Sequence, residues 1–406
     1  MSALIKYLLS VTIFWVLLGH AHAQQLKDFN YLRGRAHLES EQYDSALVYF
    51  DKALADGAES SGLLLDKGLA LFYKSQYAMA IQEFEKVEKA NRGRASIWIA
   101  RSYANLRDTE NCLKALETHL SSNYKLPESE LLLDPDLMIL ENDAKYKEFW
   151  KVGNWYTGLD QTLAEAEYLM NSKQYPEAVN LLSDGVKKGY RKAPLYAQRA
   201  EVYMAVANYK LALDDLNMAI EMDRRNAELL AQRANIYYAT GKFKSALDDY
   251  NAVLKIEPFE MKHYIGLAMS LNKNGLYEKA AKDIKTYLDL YPENDSVWYH
   301  SGMIHYENGN YFEAINSLNN ALKISQNDAR YFAARGATYL KTRTYQYAWK
   351  DLSMALDLNP KDSQSYLNKG IAALNNGMSE DACFCFEMAK KLGNKEAFSY
   401  SEKHCK

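Results

Sequence analysis

The side chains in this chain with the potential for chemistry are eight histidines, four cysteines and a few adjacent carboxylates. His20, His22, His37, His119, His263, His300, His305 and His404 contain no HExxH or comparable pair that would set two imidazoles on one helix face around a metal. Asp214-Asp215 and Asp248-Asp249 have the form of acid/base couples. Both pairs fall at the same place in a repeating pattern, however, and Asp351 falls there again, so they read as structure. Arg33, Arg199, Arg233 and Arg335 recur in the same manner and are expected to pair with those carboxylates, within or between units. The Cys383-Phe384-Cys385 spacing has the form of a redox pair or half a metal site, but no second ligand pair accompanies it. With no glycine-rich phosphate loop and no G-x-S-x-G elbow, the sequence points to no enzyme, no cofactor and no metal.

The elements that carry these residues repeat every 34 positions. Numbering within the repeat so that Gly34 is position 8, small residues follow at Gly68, near Ala100, and at Ala166, Ala200, Ala234, Ala268, Gly302, Gly336 and Gly370. Position 20 holds alanine from Ala46 to Ala382, with Cys112 in that place in the third copy, where a buried small apolar residue is expected. Position 24 holds a large apolar residue such as Phe50, Leu182 or Phe386, and position 17 an aromatic such as Tyr43 or Tyr311. Apolar residues at i, i+3, i+4 and i+7 in two segments, split by polar turns such as Glu307-Asn308-Gly309-Asn310, predict two amphipathic helices per copy. Pro258, Pro292 and Pro360 mark the ends of copies, because proline stops the preceding helix.

This pattern resembles the tetratricopeptide repeat, in which two antiparallel helices form one unit and small residues let them pack closely. The resemblance implies an all-α fold, a right-handed α-solenoid of about ten helix-turn-helix repeats. It divides the chain into an N-terminal module over 24–122 (three repeats, the third degenerate), a capping connector over 123–158, a seven-repeat array over 159–396 and a cap helix over 397–406. Residues 1–23 read as a signal peptide. Lys6 precedes an apolar run from Tyr7 to Leu18, and Ala21-His22-Ala23 forms a cleavage site ahead of Gln24. Export then makes the expected location periplasmic, soluble or peripheral to a membrane complex, with no stable membrane insertion after cleavage.

The stretch from Asp381 to Lys406 resembles the closing segment of many exported tetratricopeptide proteins of Bacteroidota-type bacteria. That likeness implies a disulfide between Cys383 and Cys405, with Cys385 as the competing partner. In tetratricopeptide arrays the concave surface is lined by first-helix positions that include 5, 9 and 12. The resemblance therefore implies an apolar, methionine- and tyrosine-rich groove of Tyr238, Ile265, Met269, Tyr299, Met303, Tyr306, Leu367 and Ile371. Such a lining suits a partner protein segment laid along it. The alternative is a structural spacer or assembly subunit of an envelope or secretion complex that uses its convex face and ends. With 49 Lys and Arg against 52 Asp and Glu, intermixed within every helix, the chain has no basic stripe for nucleic acid.

Overall fold

The computed structural model describes residues 29–58, 60–190 and 192–405. The expected signal peptide lies outside the described residues. Those residues are helical throughout, with no strand among them. The chain forms two compact units, Met1–Asp215 and Leu216–Lys406.

In the first unit, a helix over 29–39 pairs with Tyr43–Ala55, Ser61–Tyr73 with Tyr77–Ala90, and Ser96–Asn105 with Thr109–Leu120. Two short helical segments, Glu128–Leu132 and Leu137–Leu140, follow with the helix Ala144–Val152. Gly158–Asn171 and Tyr175–Lys187 then resume the pairing. The second unit continues it from Ala227–Ala239 and Phe243–Ile256 to Ser363–Asn375 and Ser379–Lys391, closing on Glu396–His404.

Local chemistry explains these boundaries. Position 34 carries Ser60, Asn226, Asn294, Asp328 or Asp362, and each side chain accepts a backbone N–H of the first helix that follows. The turn between paired helices passes through a left-handed residue at position 15, among them Gly241, Gly275, Gly309 and Gly377. At Gly309 the backbone N–H groups of Gly309 and Asn310 reach back to the carbonyls of Tyr306 and His305, the closure that satisfies a helix C-terminus. Glu41, Ser75, Lys173, Ala207 and Arg343 adopt the same conformation without glycine. The aromatic at position 17 is then the first residue of most second helices, as at Tyr43, Tyr77, Tyr175, Phe243, Tyr277, Tyr311 and Tyr345, with Thr109 and Ser379 in that place in the third and tenth.

Positions 8, 20 and 24 form the core. Ala46, Ala80, Ala178, Ala246, Ala280, Ala314, Ala348 and Ala382 are fully buried, and Cys112 is equally buried in their place. Burying these apolar faces against neighbouring repeats is what holds a helix pair that could not bury its stripe alone. The third pair is more regular than its sequence suggests. Ala100, Arg107, Cys112 and Leu116 occupy positions 8, 15, 20 and 24 in order, with Ala100, Cys112 and Leu116 fully buried and Arg107 in the left-handed turn. Its apparent loss of register comes from two residues missing at the junction after Ala90, which leave the first helix ten residues long. Beyond it, Leu131, Leu137, Leu140 and Tyr146 pack into the same core as Cys112 and Leu116.

Candidate functional site

The recurring charges resolve into a ladder. Arg199 donates from Nε and Nη2 to both oxygens of Asp215, at 2.7 Å each, and from Nη1 to Ser183 Oγ. Arg233 does the same to Asp249 at 2.8 Å and reaches Asn217 Oδ1, and Arg335 binds Asp351 and Asn319 Oδ1. Each arginine thus bridges position 23 of its own repeat and position 25 of the preceding one. Hydrogen bonding to the aspartates holds the Arg199 and Arg233 guanidiniums above their ordinary value. Lys67 makes a looser version with Glu83 and Asp51, and Arg33 donates to Tyr49 OH at 3.4 Å and lies over the Phe29 ring. The second carboxylates, Asp214 and Asp248, point to solvent, so neither adjacent pair is an acid/base couple. The bridging residues at position 25 were missed from sequence, although Ser183, Asn217, Asn251, Asn319 and Ser353 recur visibly there.

No cluster of three potential metal ligands occurs among the described residues. His119 is buried; its Nε2 accepts the Leu126 N–H at 3.1 Å, and burial pushes its pKa down to about 4. Burial likewise lowers His263, His300 and His305, and His305 Nδ1 meets Tyr277 OH at 2.8 Å. Burial thus disfavours the imidazolium form of all four.

The residues expected to line a groove divide in two. Tyr238, Ile265, Met269, Tyr299, Met303, Tyr306 and Ile371 are half-buried. Tyr238 packs edge-on to Phe243, Tyr306 lies against Tyr311, and Tyr299 stacks on Tyr331 with the Arg330 guanidinium over its ring. Burial raises the phenols of Tyr238 and Tyr299. Leu367 is a correction: it is 1% exposed and belongs to the core formed with Ala373, Phe386 and Ala389, so it lines no surface. Ala231, at the same position of repeat six, is likewise buried, at 4% exposed. Ile371 is packed against that same core. A rim of polar contacts joins repeats seven and eight nearby. Asn272 Nδ2 and Lys273 Nζ donate to the two Glu307 oxygens at 2.8 and 2.7 Å, and Asn308 donates to Asn272.

At the C-terminal end, Cys383 and Cys405 bring their sulfurs to 2.08 Å, whereas Cys385 is buried and free. Two residues along a helix turn the side chain to another face, so Cys385 looks into the core while Cys383 faces the closing helix. Burial pushes the Cys385 thiol up to about 11, which makes it inert.

Tetratricopeptide-repeat family models match residues 31–95, 227–259 and 352–384, and a TPR-repeat model matches 302–342. The chain is built from tetratricopeptide repeats. No curated protein matches it significantly. A tetratricopeptide repeat protein of known structure from Parabacteroides merdae is similar at 18% identity, over 60% of this chain and 97% of that one, with a TM-score of 0.53. The Cut9–Hcn1 hetero-tetramer of the APC/C aligns at 14% identity over 94% and 96%, TM-score 0.49. The C-terminal part of a Cytophaga hutchinsonii tetratricopeptide protein aligns at 17% over 58% and 98%, TM-score 0.42. At such identities the likeness shows the tetratricopeptide fold alone. That fold is generally a protein-interaction scaffold, and its residues here form no catalytic constellation among those described.

Proposed function

We propose that this tetratricopeptide protein is a non-enzymatic scaffold of the cell envelope whose first helices in repeats six to eight hold an apolar segment of a partner protein. One observation carries the reading. Tyr238, Ile265, Met269, Tyr299, Met303 and Tyr306 keep half-exposed apolar surface on the first helices, while positions 8, 20 and 24 are sealed. Rigid aromatic and adaptable methionine side chains give contact area at low entropic cost. Recovery of partners from solubilised envelopes with the wild type is compared with Tyr299→Ala/Met303→Ala/Tyr306→Ala, after dichroism confirms the variant's helicity. Undiminished recovery of the partner set rejects the groove.

Export belongs to the same proposal and is supported by Lys6, the apolar run to Leu18 and the Ala21-His22-Ala23 site. It predicts a periplasmic chain starting at Gln24, and N-terminal sequencing of the fractionated protein decides it. An oxidising compartment would keep Cys383 and Cys405 bonded. The alternative, a spacer or assembly subunit, has an observation of its own. Phe312, Tyr347 and Phe384 on second helices are 80%, 63% and 63% exposed. Loss of partner recovery on Phe312→Ser/Tyr347→Ser, with the groove variant unaffected, selects it.

A further inference from the structure

The helix Glu396–His404 stands in the repeat register. First helices begin at Asp295, Ala329 and Ser363, and the next in that series falls at Ala397, one residue into this helix. It therefore holds the place of the first helix of an eleventh repeat, with His404 at position 8 where the other copies carry glycine or alanine. It sits as a next repeat would. Ala397 is fully buried together with Ala389, and Tyr400 lies 5.3 Å from the Phe386 ring. Ser401 Oγ donates to Glu387 Oε1 at 2.6 Å, and Asn394 Oδ1 accepts the N–H groups of Glu396 and Ala397.

Little else holds it there. A helix of nine residues is marginal on its own, and this one fully buries only one apolar residue of its own. Its far end is tied by Cys405 to Cys383 across 22 residues, which restricts the released state far more than the native one. We propose that the Cys383–Cys405 link is a thiol-sensitive latch on this closing helix, and that opening it frees a seat for the first helix of a second copy of the chain. Register argues for that occupant, since the uncovered face is the surface each second helix presents to the first helix after it. Two first helices among those described follow no described second helix: Gly158–Asn171, which comes after the connector helix Ala144–Val152 within its own chain, and the helix over 29–39, with which the described residues begin. Docking the helix over 29–39 there joins copies head to tail through a heterologous contact.

Opening needs a dithiol reductant. The reductant's two sulfurs form a cyclic disulfide and pass two electrons and two protons to the Cys383–Cys405 bond, which breaks to two thiols. The proposal rests on the bond proposed above, and intact mass of the non-reduced chain, two hydrogens below that of the reduced one, establishes it first. Amide exchange over 396–404 and sedimentation velocity across a concentration series are then measured for the oxidised chain, the chain reduced by dithiothreitol, and Cys405→Ser. The latch predicts a rise in exchange on the order of a hundredfold in the last two. It also predicts concentration-dependent association of both, with the oxidised chain monomeric and Cys385→Ser matching it. Unchanged exchange, or monomers at every concentration, overturns the proposal. If Cys405→Ser loses its dichroism, the reduced wild type decides. Failure here leaves the groove reading untouched, since the Tyr299, Met303 and Tyr306 variant reads that separately.

Discussion

Repeats six and nine close positions 7 and 23 with a bidentate arginine–aspartate bridge, whereas repeats seven and eight, lying between them, do not. Repeat seven places Leu267 opposite Asp283, and repeat eight pairs Ser301 with Ser317 at 3.1 Å. Helix lengths and turn positions are otherwise alike across the four. An ion pair, a hydroxyl pair and an apolar residue facing a lone carboxylate thus serve the same sixteen-residue spacing. The bridge is a local solution to a polar gap between helices, not a condition of the fold, and this is why its recurrence signalled no chemistry. What the fold does require is that a charge at either position be met by its partner.

The comparison breaks most visibly if repeat nine is rewritten as repeat seven. Arg335→Leu leaves the buried Asp351 without its guanidinium and is expected to cost about 3 kcal/mol. Arg335→Ser/Asp351→Ser, which copies repeat eight, should recover most of that loss. Urea denaturation followed by far-ultraviolet dichroism measures both, and a double variant no better than the single would show that the two groups are not coupled.

A buried polar group satisfied without any ion pair behaves differently with pH, and His119 provides the contrast. Its pKa falls from 6.5 to about 4 on folding because burial disfavours the imidazolium, with the Arg101 charge adding to the effect. The folded state binds fewer protons, so the contribution is present above pH 6.5 and is lost as pH falls toward 4. The decline should reach about 2 kcal/mol by pH 5, because the unfolded imidazole takes up a proton there while the folded Nε2, still accepting the Leu126 N–H, does not. Thermal melts at pH 7 and pH 5 test this, and His119→Gln should flatten the difference. An equal decline in that variant would assign it to other groups.

A second contrast separates repeats by core size. Phenylalanine at position 24 always faces glycine at position 8: Phe50 with Gly34, Phe84 with Gly68 and Phe386 with Gly370. Where position 24 is smaller, alanine is accepted, as in Ala268 with Ile284; Tyr250 opposite Ala234 is the exception, its ring lying against Gly266 of the next repeat. A Cβ on Gly370 would lie 2.5 Å from the Phe386 ring, so Gly370→Ala should cost about 1.5 kcal/mol through overpacking. Gly370→Ala/Phe386→Leu should restore stability in the same denaturation assay. A Gly370→Ala chain as stable as wild type would mean that the ring has room to move.

Much of this was legible in the chain itself. Period, turn residues and alanines gave the helix pairs because each is a local rule repeated ten times, and the glycine–phenylalanine match was there to be read as well. The ladder's direction was not, since position 25 touches an arginine of the next repeat only once the helices are stacked. Leu367 failed for a similar reason. Its position is buried in repeats six and ten, at Ala231 and Leu367, and half-exposed at Ile265 and Tyr299, and the period does not reveal which neighbour covers it in a given copy. Tyr299 and Met303 lie between these cases: their positions were legible, and how much of each ring or thioether stays exposed depended on neighbours such as Tyr331.

The smallest effect bears most directly on the opening contrast. Asp283 stands half-buried opposite Leu267, and burial raises its carboxyl above the ordinary range, with Lys279 and Lys282 offsetting part of the shift. A raised carboxyl pKa means that the folded state holds its proton more tightly than the unfolded one. Its favourable contribution is therefore present below the unfolded pKa and lost as pH rises through the folded value. At neutral pH the ionised Asp283 weakens repeat seven, which the arginines of repeats six and nine prevent in their own. Asp283→Asn should accordingly raise the urea midpoint at pH 7 and leave it unchanged near pH 3. A gain of equal size at both values would mean that the substitution acts through packing, and the interrupted repeats would then differ from their neighbours in shape instead of charge.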